Sequence, residues 1–253
     1  MKSIFLYPGS KGKKTDLEQI LPLIPEHNEY REPFLGGGSI FLNKYITHSI
    51  INDINCELMN CYKAIKKDPE KVINYLPQID TKKEEFKQLW LEFKDNENFD
   101  EFKSAAAFIF INRTSYQGFG GILSNKFQRY NFELMKNRIL ECNKFLVNAQ
   151  IYCGDGIEWI NYNSDKEVFI FIDPPYINSN NKACYKKINW TYSDFVRLCE
   201  ELKRCKYKWL MTIDKHEIVY QNLKEFNIKE YSWKKFKAIT GQHNDKELYV
   251  SNY

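Results

Sequence analysis

Four consecutive residues, Asp173-Pro174-Pro175-Tyr176, follow the apolar run Val168-Phe169-Ile170-Phe171-Ile172. Two successive prolines fix φ and remove two N–H donors. The carbonyls there are not claimed by sheet pairing and can point into a cleft. An acid, rigid carbonyl oxygens and an aromatic face at the carboxyl end of a strand can accept the protons of a planar amine and stack its ring. A plain Pro-Pro turn after a strand competes with that reading until a second cluster is counted. This is Glu32-Pro33-Phe34-Leu35-Gly36-Gly37-Gly38-Ser39. Glycine has no Cβ and takes φ > 0, so a ligand can approach the backbone closely. Asp53 lies 15 residues after Gly38, where nucleotide-binding sheets place the acceptor for ribose hydroxyls. The G-x-G-x-x-G fingerprint is not satisfied, because Gly36-Gly37-Gly38-Ser39-Ile40-Phe41 lacks its third glycine, and no P-loop lysine follows. A nicotinamide-dinucleotide protein would need that glycine and gives no reason for the double proline.

These residues need a sheet to position them. Ser49–Asp53, Ile151–Asp155, Val168–Asp173, Tyr207–Asp214 and Glu247–Tyr253 read as strands, and a short strand from Tyr30 leads into the glycine cluster. The run at 168–172 is apolar throughout, as in a strand covered on both faces. Between the strands lie helical patterns. Thr15 opens a short amphipathic helix that ends near Pro22, Ile40-Phe41-Leu42 begins another, and residues 55–66 place Leu58, Cys61, Tyr62 and Ile65 on one face. Residues 67–100 are polar but carry Phe86, Leu89, Trp90 and Phe93 at helical spacing, and Ala105–Ile111 reads as a buried helix. Strands alternating with helices indicate a doubly wound α/β sheet. Residues from about 61 to 130 read as a helical insertion into it.

A third region concerns nucleic acid. Residues 112–132 hold Arg113, Lys126 and Arg129 and no acid, interleaved with Tyr116, Phe119, Phe127, Tyr130 and Phe132. Basic residues contact phosphates, while aromatics fill or stack. A second basic group comprises Lys182, Lys186, Lys187, Lys203, Arg204, Lys206 and Lys208. Its 203–208 part reads as a solvated helix end.

Composition narrows the classes. With 253 residues, 43% hydrophobic and 28% charged, the chain is neither disordered, collagen-like nor a minimal disulfide scaffold. A net charge of +4 permits a nucleic-acid partner without arguing for one. The seven cysteines are scattered with no C-x-x-C pair, so nearly all are expected reduced, as small buried hydrophobes, and zinc spacing is absent. His27, His48, His216 and His243 lack ligand spacing and read as surface or loop residues; no metal is expected. The N-terminal apolar run is only four residues long and ends at Tyr7-Pro8, and no segment approaches the roughly 18 apolar residues of a membrane span. A soluble, intracellular protein that does not bind membranes is expected.

In chain order the motifs resemble those of the Dam/DpnII-type, alpha-class DNA adenine-N6 methyltransferases, which use S-adenosylmethionine. Glu32–Ser39 is similar to that family's E-P-F-x-G-x-G-S, and Ile51-Asn52-Asp53-Ile54-Asn55 to its I-N-D-x-N. Asn112-Arg113-Thr114-Ser115-Tyr116-Gln117-Gly118 resembles its N-R-x-x-[FY]-N-G, with Gln117 where Asn is usual. Asp173–Tyr176 is its D-P-P-Y, and Lys246–Tyr253 resembles its E-x-[LI]-[IV]-[ST]-N-Y ending. Tyr7-Pro8-Gly9-Ser10-Lys11 stands where the family has W-x-G-G-K.

The resemblance implies an α/β, doubly wound, Rossmann-like seven-stranded methyltransferase sheet with an inserted helical target-recognition domain. Residues 1–60 and 133–253 would form the S-adenosylmethionine-binding catalytic domain, and 61–132 the insertion with its DNA-reading hairpin. By position, Tyr7 and Lys11 would meet the methionine part of the cofactor, and Phe34, Gly36, Gly38 and Ser39 would form its loop. Asp53 would take the ribose hydroxyls, and Asp155 would bond the adenine amino group. Asp173, Pro174, Pro175 and Tyr176 would be catalytic; Asn112, Arg113, Tyr116, Gln117, Lys126 and Arg129 would contact double-stranded DNA. A monomer is expected. Asp173 and the Pro174 carbonyl would accept the N6 hydrogens of an adenine flipped from the duplex, and Tyr176 would stack on it. No Pro-Cys pair is present, as C5-cytosine methylation would require. N4-cytosine methylation and a catalytically inactive DNA-binding homologue are the alternatives; Asp at the first motif position favours adenine. Enzymes acting on RNA or protein glutamine typically carry Asn-Pro-Pro-Tyr and no Asn-Arg hairpin. The arginine that reads a guanine of GATC in the Dam hairpin is missing from its place, so GATC is not expected.

Overall fold

The structure, a computed structural model, describes residues 1–7, 9–45, 47–78, 83–95, 98–118, 120–124, 130–177, 190–232 and 246–253. In chain order the elements are α1 (Lys14–Ile20), β1 (Glu29–Glu32), β2 (His48–Asp53), α2 (Cys56–Lys67), α3 (Pro69–Tyr75), α4 (Lys83–Lys94), α5 (Glu101–Thr114) and α6 (Phe132–Leu146). Then come β3 (Ala149–Cys153), β4 (Val168–Ile172), α7 (Tyr192–Arg204), β5 (Lys208–Asp214), α8 (Glu217–Leu223), β6 (Asn227–Ser232) and β7 (Lys246–Ser251). The fold is α/β with a seven-stranded mixed sheet. The chain divides into two compact units, Met1–Leu23 with Leu35–Gly154, and Ile24–Phe34 with Asp155–Tyr253.

In the first unit β2 and β3 pair in parallel, with Asp53 opposite Cys153. Helices α2, α3, α5 and α6 between them start at side-chain caps: Asn55 accepts from Leu58 N–H, Asp68 from Lys71, Asp100 from Phe102 and Lys103, and Asn131 from Leu134. Each satisfies an N–H that the first turn leaves without a partner. The helical aromatics at 86, 90 and 93 form a small core with Ala107 and Phe110 of α5. Tyr130, expected among the DNA-facing aromatics, joins that core instead. Its ring meets Phe110 edge-on at 5.2 Å, and its hydroxyl donates to the Pro77 carbonyl.

In the second unit the order is β1-β4-β5-β7-β6. β1, β4 and β5 are parallel, and β7 runs antiparallel between β5 and β6. Every residue of β4 is buried, as its apolar run implies. β1 is buried too, despite reading Glu-Tyr-Arg-Glu. Arg31 has no exposure, and its guanidinium donates to Glu29 and to the Tyr162 carbonyl and lies 4.9 Å from the Tyr207 ring centre. Burial of that charge is possible because nearly every donor has an acceptor.

Several expectations change. No α-helix begins at Ile40; residues 40–43 form turns closed by Leu42 N–H to Gly38 and Lys44 N–H to Ile40. Ile40, Phe41 and Leu42 are all buried, so the segment has no polar face to turn toward water as an amphipathic helix would. α1 begins at Lys14, and Thr15 does not cap it; Pro22 lies in the turn that ends it. β6 had no expectation, because its charged Lys229 and Glu230 hide a strand that pairs on one side alone. His27 is buried, its Nδ1 2.8 Å from the Pro25 carbonyl oxygen, and its ring lies against Tyr30 and Phe169. Cys56 and Cys153 form a disulfide, contrary to the expectation that nearly all cysteines are reduced; Cys61, Cys142, Cys199 and Cys205 are free. The pair is 97 residues apart in sequence, a separation no local motif announces, and strand register brings the two α-carbons to 5.3 Å. Cys184 and His243 lie outside the described residues. No helix among the described residues is long and apolar enough to cross a membrane.

Candidate active site

The acid-Pro-Pro-Tyr segment begins where β4 ends. The parallel register sets Ile172 beside Met211, so Asp173 comes level with Thr212 of β5. The Thr212 hydroxyl donates to Asp173 Oδ1 at 2.6 Å, and Thr212 itself is fully buried. One carboxylate oxygen is thereby held from behind. A carboxylate has about four acceptor sites, so capacity remains for hydrogens of an amine. Pro174 is buried and Asp173, Pro175 and Tyr176 are half-buried. Neither proline N can join a ladder, and the segment leaves the sheet at once. The Tyr176 hydroxyl donates to Glu247 at the start of β7, and Ile177 N–H donates to Asp214 Oδ1 at 3.0 Å. Burial, then the carboxylates of Asp173, Glu247 and Asp214, push the Tyr176 phenol far above its ordinary value. It is a hydrogen-bond donor at any working pH.

Phe34 and Asp155 belong to the same unit. A Cβ on Gly156 would lie 2.6 Å from the Pro33 carbonyl oxygen and 2.9 Å from the Phe34 ring, so glycine is needed for this approach. The Phe34 ring meets Trp190 edge-on at 5.6 Å. Asp155 accepts Ile157 N–H at 3.0 Å, capping the turn at Gly156–Trp159, and pairs with Arg197 of α7.

The glycine loop lies in the first unit. Asp53 is buried, with Oδ2 accepting Gly36 N–H at 2.7 Å and Oδ1 accepting Asn55 N–H at 2.9 Å. One carboxylate thus ties the loop to the cap of α2, and with Ile54 N–H as a third donor about one of its four acceptor sites is left for a hydroxyl. Gly36 and Gly38 have φ of +49° and +64°. A Cβ on Gly36 would stand 2.9 Å from the Tyr7 ring, and one on Gly38 would stand 2.8 Å from the Tyr62 hydroxyl. The Ser10 and Ser39 hydroxyls are 2.6 Å apart, and the buried Lys11 ammonium donates to the Gly9 carbonyl at 3.3 Å. Residues Tyr7, Lys11, Gly36, Gly38, Ser39 and Asp53 are thus brought together. A buried cation, a buried carboxylate and small hydroxyls beside glycines that lack Cβ atoms fit a charged nucleoside such as S-adenosylmethionine.

Burial raises the Asp53 carboxyl above its ordinary value, and the N–H donors of Asn55 and Gly36 offset part of that rise. A carboxyl that holds its proton more tightly folded than unfolded gives stability that is fully present below its unfolded pKa. That stability is lost as pH rises through the raised folded value. Asp53→Asn is therefore expected to flatten thermal stability against pH across this acidic window. A variant that keeps the wild-type slope in a calorimetric series would assign it to another group.

The expected DNA-contacting residues separate. Asn112 is buried: its Oδ1 accepts Leu6 N–H at 2.8 Å, and its amide donates to the Leu6 and Gly118 carbonyls at 2.9 and 3.0 Å. Both amide hydrogens are used within the protein, so here Asn112 shapes the loop and offers no donor to DNA. Tyr116 is 61% exposed. Ser115 bridges to Leu123, with Tyr116 N–H donating to Ile122 and Ser124 N–H to Thr114, so the expected hairpin closes at its base. Desolvation, and then the neighbouring Arg138 guanidinium, pushes Arg113 down to about 10, which leaves it charged near neutrality. Gln117 lies in the turn Tyr116–Gly118. The Gln117 side chain, Phe119, Phe127, Lys126 and Arg129, together with Lys182, Lys186 and Lys187, lie outside the described residues. Lys203 is within 3.9 Å of Glu225 at the end of α7. No group of three His, Cys, Asp or Glu among the described residues could hold a metal ion.

A mixed α/β sheet, a glycine loop after β1 and an acid-Pro-Pro-Tyr turn after β4 define the class of Rossmann-like methyltransferases. Residues 7–236 match the sequence model of the D12 class N6 adenine-specific DNA methyltransferases, and the chain belongs to this family. It is 31% identical over 279 residues to the type II methyltransferase M.MjaIII of Methanocaldococcus jannaschii, with 96% of each chain covered. Over 185 residues it is 30% identical to the DNA N-6-adenine-methyltransferase of Escherichia phage P1, covering 69% of this chain and 24% of that one. The DNA adenine methylase of Escherichia coli K12 is 26% identical over 173 residues, covering 65% of this chain and 62% of its own. The chain is an adenine-specific DNA methyltransferase; its family implies a methyl donor and a DNA substrate.

Proposed function

We propose that the protein transfers a methyl group from S-adenosylmethionine to N6 of an adenine flipped out of duplex DNA at a specific site. The observation that carries this reading is Asp173, held by Thr212 at the end of a buried strand and followed by two prolines and Tyr176. Tyr7, Lys11, Phe34, Gly36, Gly38, Ser39, Asp53 and Asp155 would hold the cofactor. S-adenosylmethionine supplies an electrophilic methyl group on a sulfonium. The chain's task is to present the amine. Asp173 and the Pro174 carbonyl each accept one N6 hydrogen, which turns the nitrogen lone pair out of conjugation with the purine ring. Tyr176 stacks on the base and fixes its plane. The gain is orientation and preorganised electrostatics, and no covalent enzyme intermediate is needed. Arg113 has a half-buried, partly desolvated guanidinium suited to a phosphate, and the exposed Tyr116 ring would enter a base stack. Residues 61–132, with Gln117, Lys126 and Arg129, would read the site, and GATC is not proposed for it. In this reading the enzyme works as a monomer inside the cell.

Incubation with labelled S-adenosylmethionine and random-sequence duplex DNA, followed by nucleoside analysis, is expected to place label in N6-methyladenine. Mapping the methylated positions gives the recognition sequence. Label in N4-methylcytosine, or none in DNA, overturns the reading.

A further inference from the structure

Asp214 and Glu247 are cross-strand partners in the antiparallel pair β5 and β7. Like charges directly opposite each other on paired strands destabilise the pair, so two acids at this register need another reason. The structure gives one for each. Asp214 accepts Ile177 N–H at 3.0 Å, and Glu247 accepts the Tyr176 hydroxyl. Both acids thus hold the segment that follows Asp173, which is itself held by Thr212. Of the two acids, Glu247 alone grips a side chain proposed to touch the target base.

We propose that Glu247 is a positioning residue for the methyl transfer: by accepting the Tyr176 hydroxyl hydrogen, it fixes the angle of the ring on which the flipped adenine stacks. The inference rests on the reading of Tyr176 given above and adds a residue from the far end of the chain. A tyrosine ring attached only through its own χ1 and χ2 can rotate between wells. A hydrogen bond at the para position restricts that freedom: the oxygen lies on the ring axis, so holding it fixes where the axis points, and conjugation keeps the phenol hydrogen in the ring plane, so the carboxylate that accepts it also biases rotation about χ2. Burial and the surrounding carboxylates keep the phenol protonated, so the donor is always present. The effect falls on the amine's alignment, and therefore on the chemical step.

Four variants test this, read by single-turnover methyl transfer, by cofactor affinity and by melting temperature. Glu247→Ala is expected to slow transfer about tenfold, the value of one hydrogen bond to a charged acceptor, with cofactor affinity unchanged. Tyr176→Phe keeps the ring and loses the hydroxyl, and is expected to slow transfer by the same factor. The double variant should be no slower than either single one, because both remove the same contact. Glu247→Gln keeps an acceptor oxygen and should recover most of the rate. A merely structural Glu247 would shift melting temperature without this non-additivity or this rescue. Wild-type rate in Glu247→Ala, or a double variant slowed by the product of the single effects, overturns the inference. Should Glu247→Ala fail to fold, Tyr176→Phe decides: a full rate overturns it. The wild-type assay separates the two claims, since absence of N6-methyladenine there defeats the reading of Tyr176 itself.

Discussion

Asp173→Ala is expected to lower methyl transfer by about 100- to 1,000-fold, the usual cost of deleting one preorganised polar partner at a reacting group. The effect originates at the end of β4. Its five residues are buried and apolar, so the strand end is fixed, and the two prolines prevent the next residues from extending the ladder. Thr212 reaches Asp173 from the adjacent strand at 2.6 Å and sets the direction of the carboxylate. Alanine leaves the Thr212 hydroxyl buried without that acceptor, which costs about 1–3 kcal/mol, a loss the sheet can absorb. Melting temperature should therefore fall modestly, and cofactor affinity should hold, because the glycine loop and Asp53 are untouched. A rate within a few-fold of wild type would remove Asp173 from the chemistry. Loss of both rate and cofactor affinity would show that the substitution disrupts the site as a whole.

Gly118→Ala is expected to cost about 2–6 kcal/mol of stability and to weaken DNA binding. Positive φ in a residue with a Cβ and a lost hydrogen bond each contribute about 1–3 kcal/mol. Gly118 has φ +83°, and its Cβ would lie 2.6 Å from the Leu6 carbonyl oxygen and 2.8 Å from Asn112 Nδ2. That amide is the clasp that joins Leu6 to the turn after α5. Prising it open frees the N-terminal segment that carries Tyr7 and Lys11, as well as the turn that carries Tyr116. Gly121→Ala is the control: nothing among the described residues lies within 4 Å of its Cβ position, so its effect should be slight. Equal denaturation midpoints for the two variants would show that the clasp is not as rigid as its geometry implies.

Much of this was legible in the sequence for definite reasons. The apolar run at 168–172 and the prolines after it could be read because a doubly covered strand and a ladder break both leave compositional marks. Phe86, Trp90 and Phe93 announced helix α4 by spacing. What the sequence hid was tertiary. Asn112 looks like a surface recognition residue until its amide is seen spanning two carbonyls. Tyr130 looks like a stacking residue until its ring is found against Phe110. β6 is masked by charge, and Ile40-Phe41-Leu42 resembles a helix start although three consecutive buried side chains favour a wrapped turn. Glu247 was visible in the closing motif, yet its partner lies 71 residues earlier, a relation that only strand order can create.

The disulfide between Cys56 and Cys153 has a topological meaning. β2 and β3 are adjacent parallel strands, so everything from Ile54 to Asn148, helices α2 to α6 included, is one crossover connection between them. The bond closes that connection into a ring with a sequence separation of 97. Closing a ring of that size removes about 4–5 kcal/mol of denatured-chain entropy. It also makes the connection a cassette. Its interior can lengthen, shorten or change the loop proposed to read DNA while the two strand ends keep their register, because the link runs from the first residue of α2 directly to the end of β3. Diversification of DNA sequence preference can then proceed inside the ring, at little cost to the residues that bind and align the reactants.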